Sequence, residues 1–271
     1  MPLRKSYVAF ESQAVPRLTV GGELLVPEIE DGAPGTVPAV LVCHGSDGVD
    51  GRGGFHIEAL AAAGYATLEI DMWAARGTRR GAAARPGSVP ETLPDAFAAL
   101  AFLSRQPEID AGRIAILGFS WGGVVAMLSA TRRYVEALAE PGQRFAAHIA
   151  MYPALWSYNR VPGHEFSGLT GASVLIQAGA ADAYDDPEVC AGFLAGLDLA
   201  TRELIRLIVH PGATHAFDRN LPAKVIHDPY AHKGAGGPVS FEYNPEAAMA
   251  ARGAVIEFLG VASGIVGPSP K

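Results

Sequence analysis

The sequence predicts an α/β architecture: a mostly parallel central sheet with helices on both faces, entered through an N-terminal antiparallel hairpin. Three observations carry this. Short apolar runs of strand length alternate with longer stretches of helical spacing, the order that βαβ units produce. The runs are apolar without alternation, as strands covered on both faces are. The chain has 271 residues, 49% of them hydrophobic and only 18% charged, enough to bury a full core.

Each element can be justified in turn. Residues 6–13 and 17–27 alternate around a turn at 14–16 and read as the hairpin. The run 39–43, bounded by Pro38 and Gly45, reads as the first buried strand. Residues 55–63 have helical spacing and stop at Gly64, a fitting left-handed C′ residue. A strand at 65–70, an amphipathic helix at 94–104, a strand at 113–117 and a helix at 122–130 follow. Three more strands are expected at 145–151, 173–178 and 204–209, with a helix at 187–197 between the last two. Asp186 stands before Pro187, well placed to cap that helix. Residues 244–259 close the chain as a helix with Pro245 at its first position. No linker or repeat interrupts the chain, so 1–271 reads as one domain. Three long irregular stretches, 73–93, 153–171 and 217–243, are expected to wall a site, because ligands of open α/β sheets bind at the carboxyl edge of the strands.

Composition excludes several functions. A formal net charge of -7 lacks the clustered positive charge that nucleic acid requires. The longest apolar stretch, 96–103, is far short of the roughly 20 residues that span a bilayer. Residues 1–20 hold no continuous apolar core of a secretory leader. Cys43 and Cys190 form no CxxC pair, so a reducing, cytoplasmic setting is expected. His227 and His232 match no metal-ligand spacing, and no G-x-G-x-x-G follows a strand, so neither metal nor cofactor is expected.

The segment Gly118-Phe119-Ser120-Trp121-Gly122-Gly123 fits G-x-S-x-G between a strand and a helix. A nucleophile on so sharp a turn needs small neighbours, and the helix end behind it offers N–H groups and a positive dipole. Ser120 is the expected nucleophile. Its base must follow an acid in chain order. His164, His210, His215, His227 and His232 lie beyond Ser120 and the next strand. His215 sits in a small-residue loop after the last strand, where an imidazole reaches back to the nucleophile. His210, at the strand end, reads as a structural hydrogen-bonding residue. Asp182 is the first carboxylate after the strand at 173–178 and is the expected orienter, with Asp185 in reserve. The oxyanion hole is assigned to the N–H of Trp121 and to Ser46 in the loop His44-Gly45-Ser46-Asp47-Gly48, Gly45 being the alternative. His44 is expected to brace that loop.

Taken together, the loop 44–48, the strand end 69–73, the elbow 118–123, the acid turn 179–182 and Thr214-His215-Ala216-Phe217 resemble the dienelactone hydrolase family of α/β-hydrolases over nearly the whole length. The resemblance implies a hydrolase of esters or lactones without metal or cofactor. It also implies that Arg219, four residues after His215, contacts a substrate carboxylate. Two features depart from the founding type. Ser120 stands where that type has cysteine, and the loop 44–46 lacks its glutamate, which points to a serine esterase.

The expected activity is therefore cleavage of a small ester or lactone through an acyl-enzyme. Acyl transfer, cyclisation or thioester hydrolysis would use the same intermediate. A silent ligand-binding protein would be expected to lose a triad residue, and none is lost here. Trp73, Trp121, Trp156 and Tyr158 are candidates to line an acyl pocket, with Gly45 beside the substrate. Arg76, Arg79, Arg80 and Arg85 offer either an anion site or a solvated face. A monomer and a small homo-oligomer fit equally.

Overall fold

In the computed structural model, which describes residues 2–28, 35–78 and 85–262, eight strands form one sheet: β1 (Leu3–Ser12), β2 (Leu18–Pro27), β3 (Val37–Cys43), β4 (Ala66–Asp71), β5 (Ile109–Phe119), β6 (Ala147–Met151), β7 (Ser173–Gly179) and β8 (Ile205–His210). Their order is β1-β2-β4-β3-β5-β6-β7-β8. β1 and β2 pair antiparallel, as do β2 and β4, and every other neighbour is parallel.

The apolar runs are apolar because both faces are covered. In β3, Ala39, Leu41 and Cys43 point into one cluster while Val40 and Val42 point into another. All five are fully buried. Helices Leu93–Ser104 and Trp121–Leu128 cover the first face through Leu93, Phe97, Val124 and Val125. Helices Arg52–Ala62 and Pro245–Ala262 cover the second through Leu60, Ala251 and Val255.

Most predicted ends hold. Gly64 has φ 85°, the left-handed stop that the sequence suggests. Asp186 Oδ1 accepts from Val189 N–H at 2.7 Å, capping helix Pro187–Ala195. Asn244 Oδ1 does the same for Ala247 N–H at 3.0 Å, with Pro245 in the first turn. β5 is longer than expected, starting at Ile109 and running to the elbow. The stretches 73–93 and 217–243 are less irregular than expected. The latter folds into a second, two-stranded sheet, β9 (Lys224–Asp228) against β10 (Gly237–Phe241). Two short helices, Arg132–Leu138 and Leu199–Glu203, were not foreseen.

One strand carries a strained charge. Glu69 of β4 lies directly opposite Glu23 of β2 and beneath the start of helix Arg52–Ala62, where its carboxyl fills the space beside Gly53. Burial, then the charges of Glu23, Asp50 and Asp71, push Glu69 up to about 7, while the Arg52 charge opposes the shift.

Candidate active site

β5 ends in a turn that gives Ser120 φ 51° and ψ −109°, a conformation that a side chain rarely adopts. Surrounding contacts hold it there. Ser120 N–H donates to Met151 O at 2.9 Å and Gly122 N–H to His44 O at 3.1 Å. The two flanking glycines have no room for a side chain. A Cβ on Gly118 would overlap the Gly122 carbonyl, and one on Gly122 the Cys43 carbonyl. The helix that follows begins at Trp121, so its first N–H is among the unfilled donors at the helix start.

The other two members of the constellation come from strand ends that are bonded to each other. Ala180 N–H donates to His210 O, and Ala181 N–H to Ala213 O, each at 2.9 Å. These bonds bring the turn after β7 against the loop after β8. His215 Nδ1 lies 2.7 Å from Asp182 Oδ2, and His215 Nε2 lies 2.9 Å from Ser120 Oγ. Asp182 also accepts from Tyr184 N–H at 2.8 Å through its other oxygen, so it has no freedom to turn. The imidazole is buried between the rings of Tyr152 and Tyr184, with centroids at 4.8 and 4.6 Å. With Asp182 accepting at Nδ1, the proton sits there and Nε2 is left to accept from Ser120 Oγ–H.

Asp185 is elsewhere. It is fully buried and its Oδ1 accepts from Leu155 N–H, so it holds the turn Leu155–Ser157 rather than the histidine. Burial raises its pKa well above the carboxylate range, and the Asp182 charge adds to this.

The loop after β3 is braced as expected. His44 Nδ1–H donates to Gly45 O at 2.8 Å, while Nε2 accepts from Met72 N–H at 3.0 Å. Burial lowers the His44 pKa, so the neutral ring these bonds require is favoured. Ser46 borders the cavity beside Ser120, Trp121 and His215. His210 is structural as read, its Nε2 lying 2.8 Å from Gln177 Oε1.

Several expected binding residues lie off the cavity wall. Trp73 is buried, packs edge-on against His44 and Trp121, and donates through Nε1 to Ser46 O at 3.0 Å. It supports the loop from behind. Gly45 faces the Arg52 guanidinium and the Phe119 carbonyl instead of the cavity. Tyr158 is buried against Phe166 and Phe193. Arg219 is bound to Asp50 at 3.1 Å and lies 3.8 Å from Asp47. The family resemblance implies a substrate contact for it, but two carboxylates of the 44–50 loop already occupy it. Arg76 is likewise committed, to Asp95 at 2.5 Å and to the Met72 and Glu91 carbonyls. Arg79 and Arg80 lie outside the described residues.

The cavity measures about 150 Å³. All three stretches flagged as walls contribute: Gly87 to Val89 from the first, Trp156, Val161 and His164 from the second, and Ile226, Tyr230 and Phe241 from the third. Two arginines set its electrostatics: Arg52, which sequence reasoning missed, and Arg85, expected at an anion site or a solvated face but paired within the protein. Arg52 borders the cavity, almost wholly buried, with Asp50 at 2.8 Å. Burial opposes ionisation of Asp50, but the Arg52 charge and the hydrogen bonds from Arg52 and Arg219 hold its pKa below the usual range. Arg85 reaches Asp228 with two hydrogen bonds, 3.2 and 3.3 Å, and lies over the Tyr230 ring at 4.7 Å. Thus the β9–β10 hairpin is tied to the loop on the other side of the cavity. No signal in the local sequence pairs these residues, since Arg85 and Asp228 are 143 positions apart.

The dienelactone hydrolase family matches residues 28–263 of this chain. An uncharacterised protein of Mycobacterium tuberculosis (strain ATCC 25618 / H37Rv) is 32% identical over 206 residues, 72% of this chain and 68% of that protein. Among solved structures, the dienelactone hydrolase-like promiscuous phosphotriesterase P91 from metagenomic libraries has a TM-score of 0.66 at 21% identity, covering 94% of this chain and 98% of that one. Thermogutta terrifontis esterase 2, phosphorylated by paraoxon, has a TM-score of 0.64 at 18% identity, covering 97% and 96%. An α/β serine hydrolase without a lid from Xanthomonas campestris has a TM-score of 0.57 at 16% identity, covering 100% and 99%. With that family match spanning most of the chain and the sheet order given above, this protein belongs to the dienelactone hydrolase family and is a carboxylic ester hydrolase with an α/β-hydrolase fold.

Proposed function

We propose that the protein hydrolyses a small, uncharged carboxylic ester or lactone through an acyl-enzyme on Ser120. The observation that carries the reading is the His215 ring, hydrogen-bonded to Asp182 at 2.7 Å and to Ser120 Oγ at 2.9 Å. Ser120 Oγ attacks the carbonyl carbon as His215 Nε2 takes its proton. Asp182 holds the tautomer and stabilises the imidazolium. The N–H groups of Trp121 and Ser46 bind the oxyanion, each lowering the barrier by about 3 kcal/mol. His215 then protonates the leaving alcohol. Water, deprotonated by the same ring, attacks the acyl carbon and releases the acid and free Ser120.

The preference for an uncharged substrate follows from the wall. Among the described residues, each guanidinium at the cavity already has a carboxylate: Arg52 has Asp50 and Arg85 has Asp228. A substrate carboxylate would have to displace one of these partners. A cavity of about 150 Å³ also suits short acyl or alcohol groups. The chain acts as one catalytic domain, since all three triad residues hang from the ends of one sheet.

The test is labelling with a fluorophosphonate, a probe class suggested by the phosphorylated T. terrifontis esterase. The expected adduct sits on Ser120 and disappears in His215→Ala. Ser120→Ala and His215→Ala should each abolish hydrolysis of short p-nitrophenyl esters with unchanged circular dichroism. Activity within tenfold of the parent in either variant would sink the reading.

A further inference from the structure

The cavity wall built by residues 153–171 carries a histidine that the triad does not use. Ser157 Oγ lies 2.9 Å from the Ala154 carbonyl oxygen and 2.9 Å from His164 Nδ1. A serine hydroxyl has a single proton, and a carbonyl oxygen can only accept. With the proton given to Ala154 O, Ser157 Oγ accepts from His164 Nδ1–H, and every group in the chain is used. This assignment leaves the lone pair on His164 Nε2. That nitrogen has no hydrogen-bond partner among the described residues, and it is not one of the buried polar atoms sealed from solvent. His164 borders the cavity, whose lining includes the apolar side chains of Val161, Val124 and Trp156. Burial lowers the His164 pKa, with only the Glu165 charge opposing, so the ring is neutral near pH 7.

We propose that His164 determines specificity: its Nε2 accepts a hydrogen bond from a hydroxyl or amide N–H carried by the substrate away from the scissile carbonyl. This rests on the ester-hydrolase reading above. An unhydroxylated substrate drives water from Nε2 and leaves the acceptor unpaired in an apolar wall. A donor at that point restores the bond. Sites built around a hydrogen bond reject analogues that lack it far more strongly than apolar pockets reject a missing methylene. The second substituent to be recognised is thus polar and neutral, on an otherwise apolar group.

The experiment compares kcat/KM within two matched pairs. Plain and 3-hydroxylated p-nitrophenyl butyrate place the donor on the acyl side. Ethyl and 2-hydroxyethyl butyrate place it on the alcohol side. The parent enzyme is expected to favour the hydroxylated member of one pair by roughly tenfold or more. His164→Asn keeps an N–H for Ser157 but has no atom at the Nε2 position, and should bring that ratio close to one. Nitrogen-15 NMR of the parent should show His164 protonated at Nδ1 and bare at Nε2. Equal handling within both pairs, a ratio that survives His164→Asn, or a proton on Nε2 would each overturn the proposal. Loss of both p-nitrophenyl butyrate turnover and fluorophosphonate labelling in the parent defeats the ester-hydrolase reading itself. Turnover without discrimination defeats only the role of His164.

Discussion

Gly122 rests so closely on the Cys43 carbonyl that a single methyl group on it has no space. The contact joins the elbow to the end of β3, and so fixes Ser120 against the loop that carries Ser46. Gly122→Ala must push apart two backbones rather than a flexible side chain. We expect a loss of about 1–3 kcal/mol in stability. Labelling of Ser120 should fall at least tenfold even at temperatures where the variant remains folded. Thermal melting and labelling rate on the same sample check both.

Asp182 and Asp185 lie three positions apart and do different work. Asp182→Asn should lower kcat by roughly 10³- to 10⁴-fold, because an amide favours the wrong imidazole tautomer. Burial favours the neutral form of Asp185, and Asp185→Asn keeps its shape. Its kcat should stay within tenfold of the parent. Steady-state kinetics on a short ester separates them, and equal losses in the two variants would reject the assignment of roles.

Arg85 and Asp228 tie the β9–β10 hairpin across the cavity. Burial opposes ionisation of Asp228, but the Tyr230 N–H and the Arg85 and Tyr184 side chains hold its pKa below the usual range. Removing either partner strands the other. Arg85→Met and Asp228→Asn should each raise KM several-fold, and the double variant should be no worse than the poorer single one. The coupling from such a cycle is expected at about 0.5–3 kcal/mol in kcat/KM. Strict additivity would mean that the pair is only adjacent.

Glu69 gives the protein a pH dependence of known sign. Its pKa is about 7 when folded, above the roughly 4.3 of an exposed glutamate. Between these values the folded state binds more protons than the unfolded one, so stability falls as pH rises through that window. The fall due to this residue across that window is about 3–4 kcal/mol. Glu69→Gln should flatten the dependence and be more stable than the parent at pH 8. Urea midpoints at pH 5 and pH 8 measure this, and parallel curves for the two proteins would contradict it.

The parts of the site legible in the sequence are those fixed by local geometry. Ser120, Asp182 and His215 each follow a strand end within a few residues, and short apolar runs mark those ends. His44 was legible for the same reason. The hairpin β9–β10 was hidden because Pro229, Gly236, Gly237 and Pro238 read as loop residues. Pro238 is tolerated since it is exposed on a two-stranded sheet. Helix Arg132–Leu138 was missed because it is only seven residues long and its apolar residues, Tyr134, Val135 and Leu138, are only partly buried against the core. Arg219 was misplaced for a different reason. Its spacing from His215 is local, but its partner Asp50 is 169 positions away. Such pairing is a property of the fold and not of any window of sequence.

The hairpin at the mouth separates two kinds of inheritance in this molecule. Ser120, His215 and Asp182 follow strand ends whose backbones are hydrogen-bonded to one another, so a change there is expected to be felt by all three. Ile226, Tyr230 and Phe241 belong to a ribbon outside the main sheet, tethered at Asp228. Substitutions at Ile226, Tyr230 or Phe241 are therefore expected to change which groups fit the cavity while the spacing of Ser120, His215 and Asp182 is kept.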